Sequence, residues 1–354
     1  MRNLSERTLN SYTLEELQEL FSSWGEPKYR AAQVYEWLSR GNKPDEMTNI
    51  SKKLREKLNE IPFGDVEIVK RLVSAKDGTV KYLFKLWDGN LIEGVLMKYK
   101  YGNTLCISTQ VGCNMGCLFC ASTLAGCVRN LQSGEMLYEV LAVERDTEKA
   151  EGKKRAVTNI VLMGSGEPMD NYENVVRFLH MVSDENGINI SQRNISVSTC
   201  GLVDKIRCLP DDGIHVTLSV SLHAPNDEIR SQIMPVNRAY PMNELLSAAK
   251  EYSEKTGRRV VFEYALIKGV NDAPDHALEL SKRLRNMNCH VNLIPLNSVK
   301  ERNLHGTTRE EAHKFCKMLE DLGISATVRR EMGADIDGAC GQLRRRVMNE
   351  GGIL

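Results

Sequence analysis

The sequence has no apolar run near the roughly 18 residues that suggest a membrane span. Its first residues, MRNLSERTLN, lack the apolar core of a secretory signal, so a cytoplasmic protein is expected and no membrane partner. Charge of one sign is also missing: 47 Lys and Arg balance 47 Asp and Glu, which removes any compositional argument for a nucleic-acid partner. Such a partner must be argued from local patches. There is no low-complexity segment and no fixed-period repeat, which excludes linker-like and solenoid architectures. What is present is ordinary for a globular chain: 354 residues, 42% hydrophobic and 27% charged, enough for a large core and an accessory piece. Ten cysteines in a chain of this kind point to metal binding, catalysis or burial rather than a disulfide framework.

Residues 1–60 read as helical, with Leu14, Leu17 and Leu20 at helical spacing, then Tyr29–Leu38 and Ser51–Leu58. Thr13 three residues before Glu16 fits a capping box. Segments 66–74, 79–87 and 91–99 are rich in Val, Ile, Leu and aromatics and are separated by Asp77-Gly78 and Asp88-Gly89-Asn90, which predicts an antiparallel meander. Strand-like and helix-like stretches then alternate. The strands are expected at Leu105–Thr109, Asn159–Met163, Ile195–Thr199, Val216–Leu222, Val260–Leu266, Val291–Pro295 and Ser325–Arg329. Helices are expected at Ser133–Lys149, Asn174–Val182, Met242–Thr256, Asp275–Asn286 and Thr308–Leu322. Repeated βα units imply a parallel sheet with helices outside it, either a partial barrel with catalysis at the C-terminal strand ends or an open doubly wound sheet. The expected division is a helical accessory domain over 1–60, a β extension over 61–100, a barrel with a C-terminal loop over 101–345, and a tail over 346–354.

One stretch carries the chemistry. TLCISTQVGCNMGCLFCASTLAGCVRNL (104–131) places Cys113, Cys117 and Cys120 three and two residues apart, just past a strand-like run. Thiolates select zinc or iron–sulfur centres. Structural zinc usually takes four ligands in two pairs, and no second pair follows here, so a centre with an open coordination position fits the spacing better than zinc does. Cys127 is the alternative fourth ligand. Further on, Gly164-Ser165-Gly166-Glu167-Pro168 follows a strand, where a carboxylate beside glycines can accept a bond from an ammonium. Ser198, Ser221-Leu222-His223 and Asn297 stand at later strand ends.

The cysteine spacing with Phe119 before the last cysteine resembles the radical S-adenosylmethionine (SAM) superfamily. That resemblance implies a [4Fe–4S] cluster, one per chain, held by Cys113, Cys117 and Cys120, with SAM on the remaining iron. It also implies SAM contacts from Gly166, Glu167, Ser198, Ser221, Leu222, His223 and Asn297. Within the superfamily, SLHAPNDEIRSQIMPVNRAYP (221–241), FEYALIKGVND (262–272), CHVNLIPLN (289–297) and VRREMGADIDGACGQLR (328–344) are similar to the bacterial ribosomal-RNA adenine carbon-2 methyltransferases. The likeness runs from about residue 15 to 345 and implies a partial (β/α)6 barrel of the α/β class.

Carbon 2 of adenine is electron-poor and has no lone pair, so it does not simply attack a SAM methyl group. The resemblance implies a detour through cysteine. A first SAM methylates Cys340, a second gives the radical that activates the S-methyl group, and a protein–RNA adduct forms. Cys106 then resolves it through a transient disulfide with Cys340, and Glu93 is the implied proton acceptor. By residue type alone Cys106 reads as a buried strand cysteine and Glu93 as a solvated edge-strand carboxylate. Gly94 beside it suggests a bulge or a close backbone approach. Cys127, Cys200, Cys208, Cys289 and Cys316 fall outside the implied roles and read as core or surface residues.

The implied partners are 23S rRNA, free or partly assembled, an adenine in the tRNA anticodon loop, and a flavodoxin-type reductant, with the enzyme a monomer. Arg329-Arg330 and Arg344-Arg345-Arg346 flank the Cys340 loop and suit phosphate contacts, as do Lys28, Arg30, Lys52, Lys53 and Arg55. Two other readings stay open: a carbon-8 methyltransferase conferring antibiotic resistance, and a non-catalytic zinc RNA-binding protein.

Overall fold

The structure, a computed structural model, describes residues 7–296 and 304–336. Asn297, Cys340 and Arg344–Arg346 therefore lie outside the described residues. Three helices come first: α1 (Leu14–Ser23), α2 (Lys28–Ser39) and α3 (Lys52–Asn59). Thr13 caps α1 with both bonds of the expected box in place, Glu16 N–H to Thr13 Oγ1 at 3.3 Å and Thr13 N–H to Glu16 Oε2 at 3.0 Å. Their apolar faces close on a core of their own, including Leu17, Phe21, Val34, Leu38, Leu54 and Leu58.

The meander follows as β1 (Val66–Val73), β2 (Val80–Leu86) and β3 (Leu91–Tyr99). It is the antiparallel flank of one ten-stranded sheet. The remaining strands of that sheet are β4 (Gly102–Cys106), β7 (Asn159–Leu162), β8 (Ile195–Thr199), β9 (Thr217–Ser221), β10 (Val260–Leu266), β11 (Cys289–Pro295) and β12 (Ala326–Val328), each parallel to the next. A separate hairpin, β5 (Gln110–Gly112) with β6 (Cys127–Asn130), interrupts the run after β4. The crossovers are α4 (Ser133–Glu151), α5 (Tyr172–Ser183), α6 (Val203–Cys208), α7 (Asp227–Ile233) with α8 (Met242–Thr256), α9 (Pro274–Leu284) and α10 (Arg309–Asp321).

The parallel strands lie side by side in chain order, with no reversal. Right-handed crossovers in a single direction put every helix on one face, whereas a doubly wound sheet needs a reversal point. Six βα units and a short last strand thus form the partial barrel. Its helix side is filled by residues such as Ile160, Leu162, Val197, Leu218, Val220 and Phe262. Polar residues go to the other face, the barrel interior.

The N-terminal helices are fastened to this barrel by specific bonds. Tyr138 on α4 donates to the carbonyls of Leu38 and Asn42, and Tyr35 donates to Asp184 after α5 at 2.9 Å. Of the cations expected to grip RNA there, Arg55 is used internally, donating to the Asp45 carbonyl at 2.8 Å. Lys52 stands in solvent.

Candidate active site

Hydrogen bonds frame the cysteine loop. The β5–β6 hairpin closes its base, Cys113 N–H donates to the Gly126 carbonyl at 3.0 Å, and Leu118 N–H donates to Ile233 at 2.9 Å. Thr123 Oγ1 donates to the carbonyls of Cys117 and Cys120. Ser165, in the glycine-rich segment, ties that segment to the loop by accepting Gly112 N–H at 3.2 Å.

Cys113, Cys117 and Cys120 line one cavity of about 300 Å³ at the C-terminal ends of the strands. Among the described residues no three His, Cys, Asp or Glu side chains converge on a single ion-sized point. The thiols are instead spread around a shared space, which suits a polynuclear cluster with one thiolate per iron rather than a finger-type zinc. Burial pushes the Cys113 thiol up to about 12, and Cys120 and Glu167 push it further up, against a bond from the Met115 backbone. Cys117 is raised for the same reasons. Three thiolates around one space need positive charge among them, and a bound iron centre would supply it. Cys127 does not line the cavity; its N–H donates to Asn114 Oδ1 in the hairpin.

Gly166, Glu167, Ser198, Ser221 and His223 line the same cavity. Gly166 has φ +111°, and a Cβ there would lie 2.7 Å from Gln110 N, so only glycine fits. Glu167 is held across the strand ends: Oε2 accepts Cys200 N–H at 2.7 Å and Oε1 accepts Met169 N–H at 3.0 Å. Burial raises its pKa, opposed by these bonds and by the Thr199 and Cys200 side chains, and its carboxyl lines the cavity where an ammonium can meet it. His223 sits at φ +54°, a conformation rare for a non-glycine residue. Its Nδ1 accepts Ala265 N–H at 2.8 Å, so the ring proton is on Nε2, and burial lowers its pKa to about 3. It offers a neutral donor, braced edge-on against Phe119. Leu222 is different. Its side chain is in the helix-side core, it does not line the cavity, and its carbonyl accepts Arg230 while its N–H donates to the Glu263 carbonyl.

A second cavity, about 450 Å³, holds Cys106 and Glu93. Both cavities are lined by Met163, Gly164, Ile294, Leu296 and Arg329, so the cysteine loop and Cys106 look onto one connected space. Burial pushes the Cys106 thiol up to about 11, opposed by the Arg329 charge. Glu93 departs from the expected solvated edge carboxylate. It is 4% exposed, because β3 is an interior strand, and it pairs with the buried Lys81 at 3.0 Å. Gly94 is a close approach, with no register shift between β2 and β3: a Cβ there would meet Phe84 Cε2 at 2.7 Å.

The structure adds detail at other positions. Arg329 is half-buried and lines both cavities, and Arg330 is exposed. Cys200, read as core or surface, is buried, in the wall of the thiol-lined cavity beside Glu167. The described cysteines are free thiols. A Cys106–Cys340 disulfide therefore has no support in the structure, since Cys340 lies outside the described residues.

Sequence reasoning missed Arg230. Fully buried in α7, it donates to the carbonyls of Cys200 (2.6 Å), Ser221 (3.1 Å) and Leu222 (3.2 Å) and to Asn237 Oδ1 (2.9 Å). One guanidinium thus fixes the ends of β8 and β9, where the cavity residues are carried. Arg230→Met leaves three carbonyls without that donor, at about 1–3 kcal/mol each. The expected loss is on the order of 4 kcal/mol in chemical denaturation, and an unchanged midpoint would contradict the clamp.

Comparison with known proteins agrees with this geometry. Residues 107–281 match the radical SAM superfamily, and residues 8–63 match the ribosomal RNA large subunit methyltransferase N-terminal domain. A protein of Thermoanaerobacter sp. (strain X514) named "Probable dual-specificity RNA methyltransferase RlmN" is 52% identical over 346 residues, covering 97% of this chain and 99% of its own. One of the same name from Alkaliphilus oremlandii is 54% identical over 340 residues, covering 96% and 97%. The crystal structure of a radical SAM methyltransferase from Sphaerobacter thermophilus superposes with a TM-score of 0.88 at 44% identity, over 95% of this chain and 98% of that one. With the thiol-lined cavity at its strand ends and this likeness along nearly its whole length, the chain belongs to the radical-SAM, RlmN-type methyltransferase family.

Proposed function

We propose that this enzyme methylates carbon 2 of an adenine in 23S rRNA, and of an adenine in the tRNA anticodon loop, through an S-methylcysteine at Cys340. The observation that carries this reading is the connected pair of cavities. A radical generator alone needs only the thiol-lined one. Here a second cavity opens from it and presents a cysteine, Cys106, and a buried carboxylate, Glu93.

Cys113, Cys117 and Cys120 would hold one [4Fe–4S] cluster per chain, and Gly166, Glu167, Ser198, Ser221, His223 and Asn297 would hold SAM, with Leu222 contributing through its backbone. When bound, cluster and SAM supply a 5′-deoxyadenosyl radical on reduction by a flavodoxin-type protein. The side chains do the rest. Glu167 faces the SAM ammonium with its carboxylate, and His223 donates from Nε2. Cys340 carries the methyl group to the adenine, which consumes two SAM per turnover. Glu93 accepts the carbon-2 proton. Cys106 attacks the Cys340 sulfur as a thiolate; the sulfur–carbon bond breaks as the disulfide forms, and the freed carbon takes up a proton to complete the methyl group. RNA is taken free or partly assembled, with the target base extruded from its stack, and the enzyme acts as a monomer.

The test is anaerobic reaction of reconstituted enzyme with methyl-labelled SAM and a 23S fragment, followed by nucleoside mass spectrometry. Label in 2-methyladenosine is the expected product. Label at carbon 8, or none with an intact cluster and reductant, would overturn the assignment.

A further inference from the structure

Lys81 has no role in the reaction described so far, and it is fully buried. A lysine is almost never fully buried unless it is paired, and taking the ion out of water costs several kcal/mol. An apolar pair at such a place is commonly as stable or more so, so sheet stability alone does not account for it.

The strand register places it. Lys81 lies opposite Val95, Val95 lies opposite Cys106, and Glu93 is two residues from Val95 on the same side of β3. Lys81 and Cys106 thus flank Val95 on the barrel-interior face, one from each neighbouring strand, with Glu93 diagonal to both. Lys81 Nζ is 3.0 Å from Glu93 Oε2. Glu93 lines the Cys106 cavity, but Lys81 does not and stands behind it. Of the other buried carboxylates, Glu135 is paired with Arg129, whereas Glu139, Glu167 and Glu263 are held by backbone amides or an asparagine, and burial raises the pKa of each of these three. A proton acceptor must be ionised before the step, and a neighbouring cation favours that form.

We propose that Lys81 is a positioning residue for the reaction: its ammonium holds Glu93 as a carboxylate, turned into the Cys106 cavity, to receive the proton from carbon 2 of the adenine adduct. This rests on the reading of Glu93 as the proton acceptor. In the step, which follows loss of the adduct's unpaired electron to the oxidised iron–sulfur cluster, the carbon 2–hydrogen bond breaks, the proton passes to a Glu93 oxygen, and the bonding pair stays on the ring. Lys81 keeps its own proton throughout. Among the described residues, the other charged or titratable groups facing this cavity are Cys106 on β4, Arg309 at the start of α10, and Arg329, Arg330 and Glu331 after β12.

The experiment follows release of tritium from carbon 2 of labelled RNA, in single turnover by the reconstituted holoenzyme, as a function of pH. Iron content and 5′-deoxyadenosine formation are measured alongside. Lys81→Met is expected to load iron and form 5′-deoxyadenosine as the parent does. Its tritium release at pH 7 should be at least about tenfold slower and recover as pH rises, because a carboxyl left protonated regains its charged form about tenfold per pH unit. Lys81→Gln keeps a donor without the charge and should behave in the same way; it serves where the methionine variant does not fold. Lys81→Arg restores the charge and should return release to within about threefold of the parent, well short of that tenfold loss. Parental pH dependence in Lys81→Gln, or in a folded Lys81→Met, would sink the proposal. Glu93→Gln separates the two layers: if it releases tritium at the parental rate, Glu93 is not the acceptor. If it stalls while the Lys81 variants do not, only the role of Lys81 falls.

Discussion

Cys117→Ala should give a colourless protein that cleaves no SAM and transfers no methyl group. Each of the three thiols lines the cavity from a different point of an eight-residue loop, so none can stand in for another. An iron–sulfur cluster is held by thiolates, and two of them leave two irons open to solvent. The fold should survive, because the loop's backbone is held by the Gly126 and Ile233 carbonyls and the Thr123 hydroxyl, which the substitution does not touch. Circular dichroism should therefore stay unchanged while absorbance near 400 nm and 5′-deoxyadenosine production vanish. Cys127→Ala is the control, since Cys127 does not line the cavity, and it should keep colour and SAM cleavage. Full iron and SAM cleavage in Cys117→Ala would refute the assignment of the loop. A colourless parent, purified without oxygen and carrying zinc, would refute the catalytic reading altogether.

Cys106→Ala should stop the reaction later. Cluster, SAM cleavage and attack on RNA are intact, so protein crosslinked to RNA through Cys340 should accumulate, visible as a shifted band that nuclease removes. Clean multiple turnover by this variant would eliminate Cys106 as the resolving residue. The parent adds a pH signature. A thiol pushed up to about 11 is mostly protonated at neutral pH, and the thiolate is the form that attacks. Its fraction grows about tenfold for each unit between pH 7 and 9, so the adduct should decay faster as pH rises. A rate that falls over that range would show that thiolate attack is not what limits resolution.

Much of this was legible in the chain. The ends of β8, β10 and α8 fall where alternation and helical spacing put them, because strand and helix periods are local properties of sequence. The cysteine triplet was equally plain, since three ligands in eight residues carry their own geometry. The β5–β6 hairpin and helices α6 and α7 were not legible. Helices of 6 and 7 residues make fewer than two turns, and strands of 3 and 4 residues alternate too few times to show a period.

The site divides along the same line. Sequence determined which chemistry is available: the cysteine loop, the glycine-rich turn where Gly166 alone fits, and the family motifs at the strand ends. Tertiary structure decided which groups that chemistry can use. Glu93, Lys81, Arg230 and Arg329 are ordinary charged residues in the string of letters, and charge usually means solvent. They line, back or clamp the reaction space only because β3 is covered by β2 and β4, and because α7 folds back over the ends of β8 and β9. Those neighbours come from elsewhere in the chain. Burial is a property of such long-range pairings, and no short window of sequence contains it.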